Sequence, residues 1–221
     1  MEQPLDPGLY IVATPIGNLG DVSQRAAAIL GGVAAVACED TRVTGKLLQH
    51  LGIKSRLVRY DDHASEATRE HLLGLAATGP VALVSDAGTP LISDPGYKLV
   101  RQARERGIAV TSIPGPSAAV VALTLAGLPS DRFLFAGFAP AAKSARETFL
   151  RDLAPTQATL ILYESPKRVK GLLDDLVQSH GEGRNAVVCR ELTKRFEEVT
   201  RGTLGELAAA FADRDVKGEI V

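Results

Sequence analysis

The feature that most constrains the fold is an alternation of short, unbroken apolar segments with helical segments along the chain. Leu9–Ala13 and Val81–Ser85 are apolar almost throughout, which is typical of strands that are buried on both faces of a parallel sheet. Between such segments, Asp94 followed by Pro95 has the pattern of a helix N-cap and first helical residue. The alternation predicts an α/β fold with mainly parallel sheets.

The same alternation continues in the second half of the chain, after a turn at Pro114–Pro116. We take this turn as the boundary between two α/β domains, residues 1–115 and residues 116–221, each with its own core. The last residues have the pattern of another strand, so we expect the second domain to be shortened at its C-terminal end. Further helix starts are predicted at Asp21 with Gln24, Ser144 with Glu147, Ser165 with Pro166, and Thr203 with Glu206.

Composition limits the class of protein. Hydrophobic residues make up 45% of the 221 residues and charged residues 23%, a globular balance that disfavours a mainly disordered chain. The apolar runs are too short to cross a bilayer and no signal peptide is recognisable, so we expect no membrane association. Cys38 and Cys189 both lie in predicted strands, which favours a reducing, cytoplasmic compartment over a disulfide framework.

The charge of the chain argues mildly against a nucleic-acid partner. The formal net charge is −1, whereas proteins that bind phosphate backbones usually carry an excess of Lys and Arg. The distribution is nevertheless uneven, and composition alone favours solvated surface charge for the basic groups. One group comprises Arg184, Arg190, Lys194, Arg195 and Arg201, and the other comprises Lys143, Arg146 and Arg151.

Five predicted strands end in loops that are rich in glycine, proline and polar residues. Ligands of open α/β sheets bind beyond the carboxyl ends of the strands, so these loops form the candidate site. The needs of a strand-to-helix turn explain any single loop, but the five together favour a shared pocket. The loops are Thr14–Asn18, Glu39–Arg42, Asp86–Pro90, Pro114–Ser117 and Glu164–Arg168.

Several common motifs are missing from the sequence. Gly17 and Gly20 do not make the G-x-G-x-x-G of dinucleotide-binding folds, and no Walker A or G-x-S-x-G sequence occurs. No histidine pairs with another histidine or with a cysteine at ligand spacing, so no metal site is predicted. His63 suits contact with a substrate, although a lone histidine in such a polar stretch is also typical of an exposed loop.

The loops and their flanking strands resemble a known family over nearly the whole chain. The matching segments are Tyr10–Asp21 (YIVATPIGNLGD), Cys38–Arg42 (CEDTR), Ser85–Gly96 (SDAGTPLISDPG), Ser112–Ser117 (SIPGPS), Phe135–Pro140 (FAGFAP), Tyr163–Arg168 (YESPKR) and Cys189–Thr193 (CRELT). They resemble the ribosomal RNA small subunit methyltransferase I family, a branch of the tetrapyrrole-methylase-like, class III methyltransferases. Asp61–Glu66 (DDHASE) departs from the family's usual form.

The resemblance implies a fold, a methyl donor and an acceptor. It implies two α/β domains with S-adenosylmethionine in the cleft between them, and a homodimer. The implied acceptor is the ribose 2′-hydroxyl of a cytidine in small-subunit ribosomal RNA, near the decoding centre. Carried over residue by residue, the donor site comprises Pro15, Ile16, Gly17, Asp86, Gly88, Thr89, Pro90, Ser117, Ala118, Tyr163 and Glu164.

The chemistry of methyl transfer suggests roles for residues around this site. A carboxylate such as Asp86 balances the cationic sulfonium and amino groups of the donor. The donor's own carboxylate suits the free N–H groups of a helix start near Ser117. A ribose hydroxyl is a poor nucleophile at neutral pH and benefits from a general base. The candidate bases are Asp40 and Glu39; a helix N-cap or an ion pair with Arg42 explains Asp40 equally well.

Contacts with RNA are assigned to basic and polar side chains near the same loops. Arg42 is a candidate for steering phosphate, and Lys167, Arg168 and His63 are candidate substrate contacts. For Lys167 and Arg168, ordinary helix-surface charge is an equal alternative.

Other functions are left open by the sequence. A tetrapyrrole methylase would use the same donor site with a macrocyclic acceptor, and a methylation assay with each acceptor separates the two. A non-catalytic module would bind the donor or RNA without turnover on any ribosomal subunit. A nicotinamide oxidoreductase is disfavoured by the missing dinucleotide fingerprint.

Overall fold

The computed structural model describes residues 4–221, which divide between Ser117 and Ala118 into two compact units. We call them the N-terminal unit and the C-terminal unit. Both mix helices and strands, and the largest sheet is parallel throughout, so the predicted α/β class is confirmed. No helix within residues 4–221 is long and apolar enough to cross a membrane.

The N-terminal unit is built on a five-stranded parallel sheet of order β3-β2-β4-β1-β5. Since β1 and β4 are neighbours near the centre, the loops that follow them leave the same edge side by side. The elements are β1 (Gly8–Val12), a 3₁₀ turn (Leu19–Asp21), α1 (Gln24–Gly32), β2 (Ala35–Cys38), α2 (Thr41–His50), β3 (Leu57–Arg59), α3 (Glu66–Thr78), β4 (Pro80–Leu83), α4 (Tyr97–Glu105) and β5 (Val110–Ile113).

Helices cover both faces of this sheet, which explains its unbroken apolar strands. All four residues of β2 are fully buried. Successive strand residues point to opposite faces, so Leu9 and Ile11 pack with Leu72 of α3 on one face. Val12 packs with Leu30 of α1 on the other face.

The C-terminal unit carries two small sheets, a parallel pair of β6 with β7 and an antiparallel pair of β8 with β9. Its main apolar cluster joins α7, α8 and β8 through buried residues that include Leu173, Val188, Leu207 and Phe211. The elements are α5 (Ala118–Ala126), β6 (Phe133–Phe138), α6 (Lys143–Leu153), β7 (Thr159–Tyr163), α7 (Val169–His180), β8 (Asn185–Arg190), β9 (Glu198–Thr203) and α8 (Leu204–Phe211).

Two helix starts in the N-terminal unit differ from the prediction. Ser23 caps α1, its hydroxyl accepting a hydrogen bond from the Ala26 N–H, because Asp21 belongs to the 3₁₀ turn. The N-cap of α4 is Gly96, with φ 136°, so Asp94 and Pro95 lie in the loop before the helix. A Cβ on Gly96 would lie 2.8 Å from Cδ2 of Leu83, which fixes glycine at this entry.

In the C-terminal unit one capping box is confirmed and two helix starts are wrong. Thr203 and Glu206 form the predicted reciprocal cap of α8. By contrast, α6 follows Ala142 without a side-chain cap, which leaves Ser144 inside the helix. Ser165 accepts the N–H groups of Arg168 and Val169 in a turn that precedes α7.

Candidate functional site

The loops after β1, β4 and β5 are hydrogen-bonded to one another in the N-terminal unit. Thr14 and Gly88 exchange two backbone hydrogen bonds, of 2.9 and 3.0 Å, and the Thr14 hydroxyl donates to the Ser85 carbonyl at 3.2 Å. The Thr89 hydroxyl donates to the Pro116 carbonyl at 3.0 Å. Three of the loops predicted from the sequence therefore form one layer beyond the carboxyl ends of the central strands.

Two glycines make this close approach possible. Gly88 has φ 81°, and a Cβ there would lie 3.3 Å from Cγ2 of Ile16. A Cβ on Gly115 would lie 2.9 Å from Cβ of Ala13, closer than real side chains come. Pro15 and Ile16 are buried under the layer, whereas Gly17 is exposed. The loops thus present bare backbone over a packed base.

The fourth loop, after β2, joins the same layer through Asp86. The Asp40 N–H donates to Oδ1 of Asp86 at 3.1 Å, and no described residue donates a hydrogen bond to Oδ2 of Asp86. The sequence alone does not reveal that Asp86, which is partly buried, also fixes the start of α2.

Asp40 has a structural role that the sequence analysis considered alongside catalysis. Its side chain caps α2, with Oδ1 accepting from the Arg42 N–H at 2.8 Å, and it pairs with the Arg42 guanidinium at 2.5 Å. Hydrogen bonds from Arg42 hold the pKa of the Asp40 carboxyl well below its usual range. A carboxylate that holds its charge this strongly is a weak proton acceptor.

Glu39 lies in a different electrostatic environment. Burial, followed by the negative charges of Asp86 and Asp61, raises the pKa of the Glu39 carboxyl. The side chain borders a pocket of about 350 Å³ whose lining also includes Asp61, His63 and Asp94. His63 is exposed there, and its backbone N–H donates to Oδ1 of Asp61 at 2.9 Å.

Asp94 is a member of this pocket that sequence reasoning treated only as a helix cap. Burial and the nearby charge of Glu39 raise the pKa of its carboxyl to about 6. The segment that carries it is strained, because Leu91 and Ser93 have φ of 74° and 61°. Strained backbone of this kind clusters at functional sites. In the sequence, only the closely spaced glycine and prolines of this segment indicate such a backbone.

The candidate residues of the C-terminal unit lie at the end of β7. The Tyr163 hydroxyl accepts a hydrogen bond from the Ala119 N–H at 3.0 Å, so it lies at the start of α5 beside Ala118. Glu164 is buried, with its side chain only 2% exposed, and it pairs with Arg168 at 2.9 Å. Its Oε1 accepts the Ser165 N–H at 2.7 Å, so the carboxylate is held by its own loop.

Lys167 and Arg168 have different surroundings. Lys167 is exposed. Arg168 is half-buried and donates to the carbonyls of Ala139 and Pro140, in addition to its pair with Glu164. Arg168 therefore holds the loop after β7 to the loop after β6.

The basic stretch between 184 and 201 is engaged within the C-terminal unit. Arg190 pairs with Glu198, and Lys194 pairs with both Glu191 and Glu219. Arg201 donates to the last carbonyls of α5, those of Leu125 and Ala126. Two cations of the stretch are thus neutralised by carboxylates and a third is held by carbonyls, and sequence spacing does not reveal these partners.

Comparison with known proteins places the chain in a family. The model of the Tetrapyrrole (Corrin/Porphyrin) Methylases matches residues 8–208. The chain belongs to this family. Its fold agrees with that of uroporphyrin-III C-methyltransferase from Thermus thermophilus, at a TM-score of 0.68 and 22% identity, covering 97% of this chain and 93% of that one.

Several relatives with much higher identity carry the name Ribosomal RNA small subunit methyltransferase I. The protein of that name from Erythrobacter litoralis is 55% identical over 99% of this chain and 78% of its own length. The one from Mesorhizobium japonicum is 52% identical over 99% of this chain and 75% of its own length. The resemblance stated from the sequence motifs is confirmed.

Proposed function

We propose that the protein uses S-adenosylmethionine to methylate the ribose 2′-oxygen of a cytidine in small-subunit ribosomal RNA, near the decoding centre. The observation that carries the proposal is about 50% identity, along nearly the whole chain, to relatives named for methylation of that RNA. The tetrapyrrole methylases with solved structures are far less similar in sequence, and that likeness concerns the fold. A tetrapyrrole acceptor is therefore the second candidate, because the family as a whole carries that name.

The residues of the loop layer suit this donor. S-adenosylmethionine supplies an electrophilic methyl group on a cationic sulfonium. Oδ2 of Asp86 is available to balance positive charge, because the Asp40 N–H donates to Oδ1 only. Gly88 leaves backbone open beside Ile16, where a side chain would fill the space. The further proposed donor residues are Pro15, Gly17, Thr89, Pro90, Ser117, Ala118, Tyr163 and Glu164.

We assign the general base to Glu39 rather than to Asp40. Both lie at the end of β2, but the raised pKa of Glu39 makes it the better proton acceptor, while Asp40 is held ionised by Arg42. In this assignment Glu39 takes the proton of the acceptor hydroxyl as the new O–C bond forms and the bond between the methyl carbon and the sulfonium sulfur breaks, which leaves S-adenosylhomocysteine. Alignment of that oxygen behind the methyl carbon supplies most of the remaining acceleration.

Exposed residues supply the proposed RNA contacts. Lys167 is exposed and Arg42 has 86% of its side chain exposed, so both are placed to meet phosphate. His63 contacts the acceptor nucleotide at the acidic pocket, and Arg168 supports the Lys167 loop. We further propose a homodimer that acts in the cytoplasm on ribosomal RNA or on the assembled small subunit.

A panel of acceptors tests the proposed substrate. The protein is incubated with radiolabelled S-adenosylmethionine and, separately, small ribosomal subunits that lack the modification, large subunits, naked ribosomal RNA and uroporphyrinogen III. Label on the small subunit or its RNA, and on no other acceptor, supports the proposal. Label on the tetrapyrrole alone would replace it with the second candidate, and donor binding without transfer would indicate a binding module.

A further inference from the structure

The segment between the pocket beside Glu39 and helix α4 holds two apolar side chains in solvent. Residues 93–95 line the pocket. On either side of them, Ile92 is 40% exposed and Tyr97, the first residue of α4, is 67% exposed. Within residues 4–221, no other large apolar side chain is exposed to a greater fraction than Tyr97. An aromatic ring is therefore presented to solvent next to the proposed acceptor pocket.

Tyr97 lies at the rim of this pocket. It follows Pro95 by two residues, so the two Cα atoms are at most about 7 Å apart. Gly96 between them has φ 136°, and a Cβ there would lie 2.8 Å from Cδ2 of the buried Leu83, so the turn into α4 is fixed against the core. Neighbouring nucleotides of an extended single strand are separated by a similar distance. A nucleotide at the pocket thus brings the next base within reach of Tyr97.

Basic side chains accompany the ring on α4. The guanidinium carbon of Arg101 lies 5.9 Å from the centroid of the Tyr97 ring, and positions 97, 101 and 104 recur at helical spacing on one face. Lys98 and Arg104 are exposed and form no ion pair within residues 4–221. Arg101 has an exposed pair with Glu105, at 3.5 Å. This face thus combines an aromatic ring with positive charge, in a chain whose net charge is −1.

We propose that Tyr97, Lys98 and Arg101 form a binding surface for single-stranded RNA, which we call the α4 face. Tyr97 stacks on the base next to the target nucleotide, and Lys98 and Arg101 contact its phosphates. The inference rests on the proposed function, because it takes RNA as the acceptor. Every base has a π-face, so a ring flanked by cations binds unpaired bases with little regard to sequence. The α4 face therefore requires an acceptor segment whose bases are unstacked.

The first test compares Tyr97→Ala with Tyr97→Phe in the methylation of small ribosomal subunits that lack the modification. We expect Tyr97→Ala to raise KM for the subunit by about tenfold, because stacking on the ring is lost. The kcat and the donor affinity should not change, and Tyr97→Phe should keep the wild-type KM. A wild-type KM in Tyr97→Ala, or the same rise in Tyr97→Phe, would overturn the proposal. If the wild type transfers no methyl, the proposed function fails, and the following binding test decides on the α4 face.

The second test measures stacking without catalysis. The sequence contains no tryptophan, so Tyr97→Trp introduces a single fluorophore. We expect an eight-nucleotide single-stranded RNA of mixed sequence to quench its fluorescence with saturation, and a duplex of the same sequence to quench it less, because paired bases are already stacked. Gln49→Trp is the control. It is exposed in the last turn of α2, which returns the chain to the opposite edge of the sheet, and its fluorescence should not change.

Charge is tested in the Tyr97→Trp protein. Lys98→Gln should weaken RNA binding and lower the slope of log affinity against log salt by about 0.7, the value for one phosphate contact on a single strand. Lys54→Gln, exposed before the start of β3, should leave the slope unchanged. Absence of quenching in Tyr97→Trp, equal quenching in Gln49→Trp, or stronger quenching by the duplex would overturn the proposal. A fluorescence change that follows protein concentration without RNA would also overturn it, because the α4 face would then lie between two copies of the chain.

Discussion

Asp86 connects two features of the site at the scale of a single residue. One oxygen holds the Asp40 N–H, and the other is assigned to the cationic donor. We expect Asp86→Ala to weaken S-adenosylmethionine binding by at least about tenfold, or ~1.4 kcal/mol, measured by titration calorimetry. Asp86→Asn keeps an acceptor for Asp40 without the charge, and it should lose a similar amount. Unchanged donor affinity in both variants would remove Asp86 from the donor site.

Glu39 and its neighbour Asp40 form a matched pair for testing the general base. We expect Glu39→Gln to lower kcat by about 10²-fold or more with donor affinity unchanged, because the proton acceptor is lost. Asp40→Asn keeps much of the α2 cap and should reduce kcat less. In the wild type, kcat/KM should rise with pH as Glu39 ionises, through a pKa above the usual range. A larger loss in Asp40→Asn would reverse the assignment.

Asp94 gives the site a pH-dependent cost in stability. Its folded pKa is about 6, against a reference value of 3.8, so the folded state binds the proton more tightly than the unfolded state. Stability therefore falls as pH rises from about 4 to about 6. The shift corresponds to at most ~3 kcal/mol, and solvent screening of this partly exposed carboxyl lowers the expected effect to about 1 kcal/mol.

Urea unfolding of Asp94→Asn at several pH values measures this cost. The variant should match the wild type near pH 4 and exceed its free energy of unfolding by about 1 kcal/mol above pH 6. Asp152→Asn, at an exposed position of α6 outside the pocket, is the control. A difference between Asp94→Asn and the wild type that does not change with pH would contradict the argument.

At the scale of elements, one ion pair couples two helices of the C-terminal unit. Arg146 of α6 and Asp175 of α7 lie 2.6 Å apart, with only 12% and 10% of their side chains exposed. Removing one partner leaves a charge buried without compensation, at a cost of about 3–5 kcal/mol. Asp175→Ala should therefore lower Tm by about 10 °C, measured by calorimetry.

Two further variants separate burial from charge pairing on the same helix. Arg146→Met with Asp175→Leu should be less destabilising than Asp175→Ala alone, because no charge is left unpaired. Glu147→Ala breaks the exposed pair of α6 with Lys143 and should change stability by less than about 0.5 kcal/mol. If Glu147→Ala and Asp175→Ala lower the free energy of unfolding equally, burial does not determine how much an ion pair contributes to stability.

The central elements are predictable from the sequence because burial imposes a pattern on them. Strands β2 and β4 are covered on both faces, so their apolar runs stand out. The edge strand β9 is not predicted, because its sequence EVTRGT is half-buried and polar. Helix starts fail where two capping residues compete, as Asp21 and Ser23 do before α1.

The candidate site is predictable only in part for a related reason. Four loops at strand ends are recognisable from glycine, proline and polar residues, and the sheet order then brings them together in the N-terminal unit. The charge state of their carboxylates depends on neighbours that are distant in sequence. Burial and then the charge of Asp86 raise the pKa of Glu39, and burial and then the charge of Glu39 raise the pKa of Asp94. The spacing of these residues in the sequence predicts neither of these effects on pKa.

At the scale of the whole molecule, the net charge argues against an RNA partner, whereas the similarity to ribosomal RNA methyltransferases argues for one. The net charge is −1, and Arg190 and Lys194 of the basic stretch are paired with carboxylates of the C-terminal unit. Cationic and anionic side chains nearly balance, so general attraction to phosphate is weak, and we expect recognition to depend more on the folded shape of the acceptor. An assembled small subunit presents such a shape more fully than naked RNA does.

The most direct test of the proposed activity is to locate the transferred methyl group. Small subunits that lack the modification are incubated with the protein and S-adenosylmethionine carrying a labelled methyl, and the RNA is then mapped with nucleases and digested to nucleosides. We predict one labelled position near the decoding centre, recovered as 2′-O-methylcytidine. Label on a base, or spread over many nucleotides, would contradict the proposed reaction.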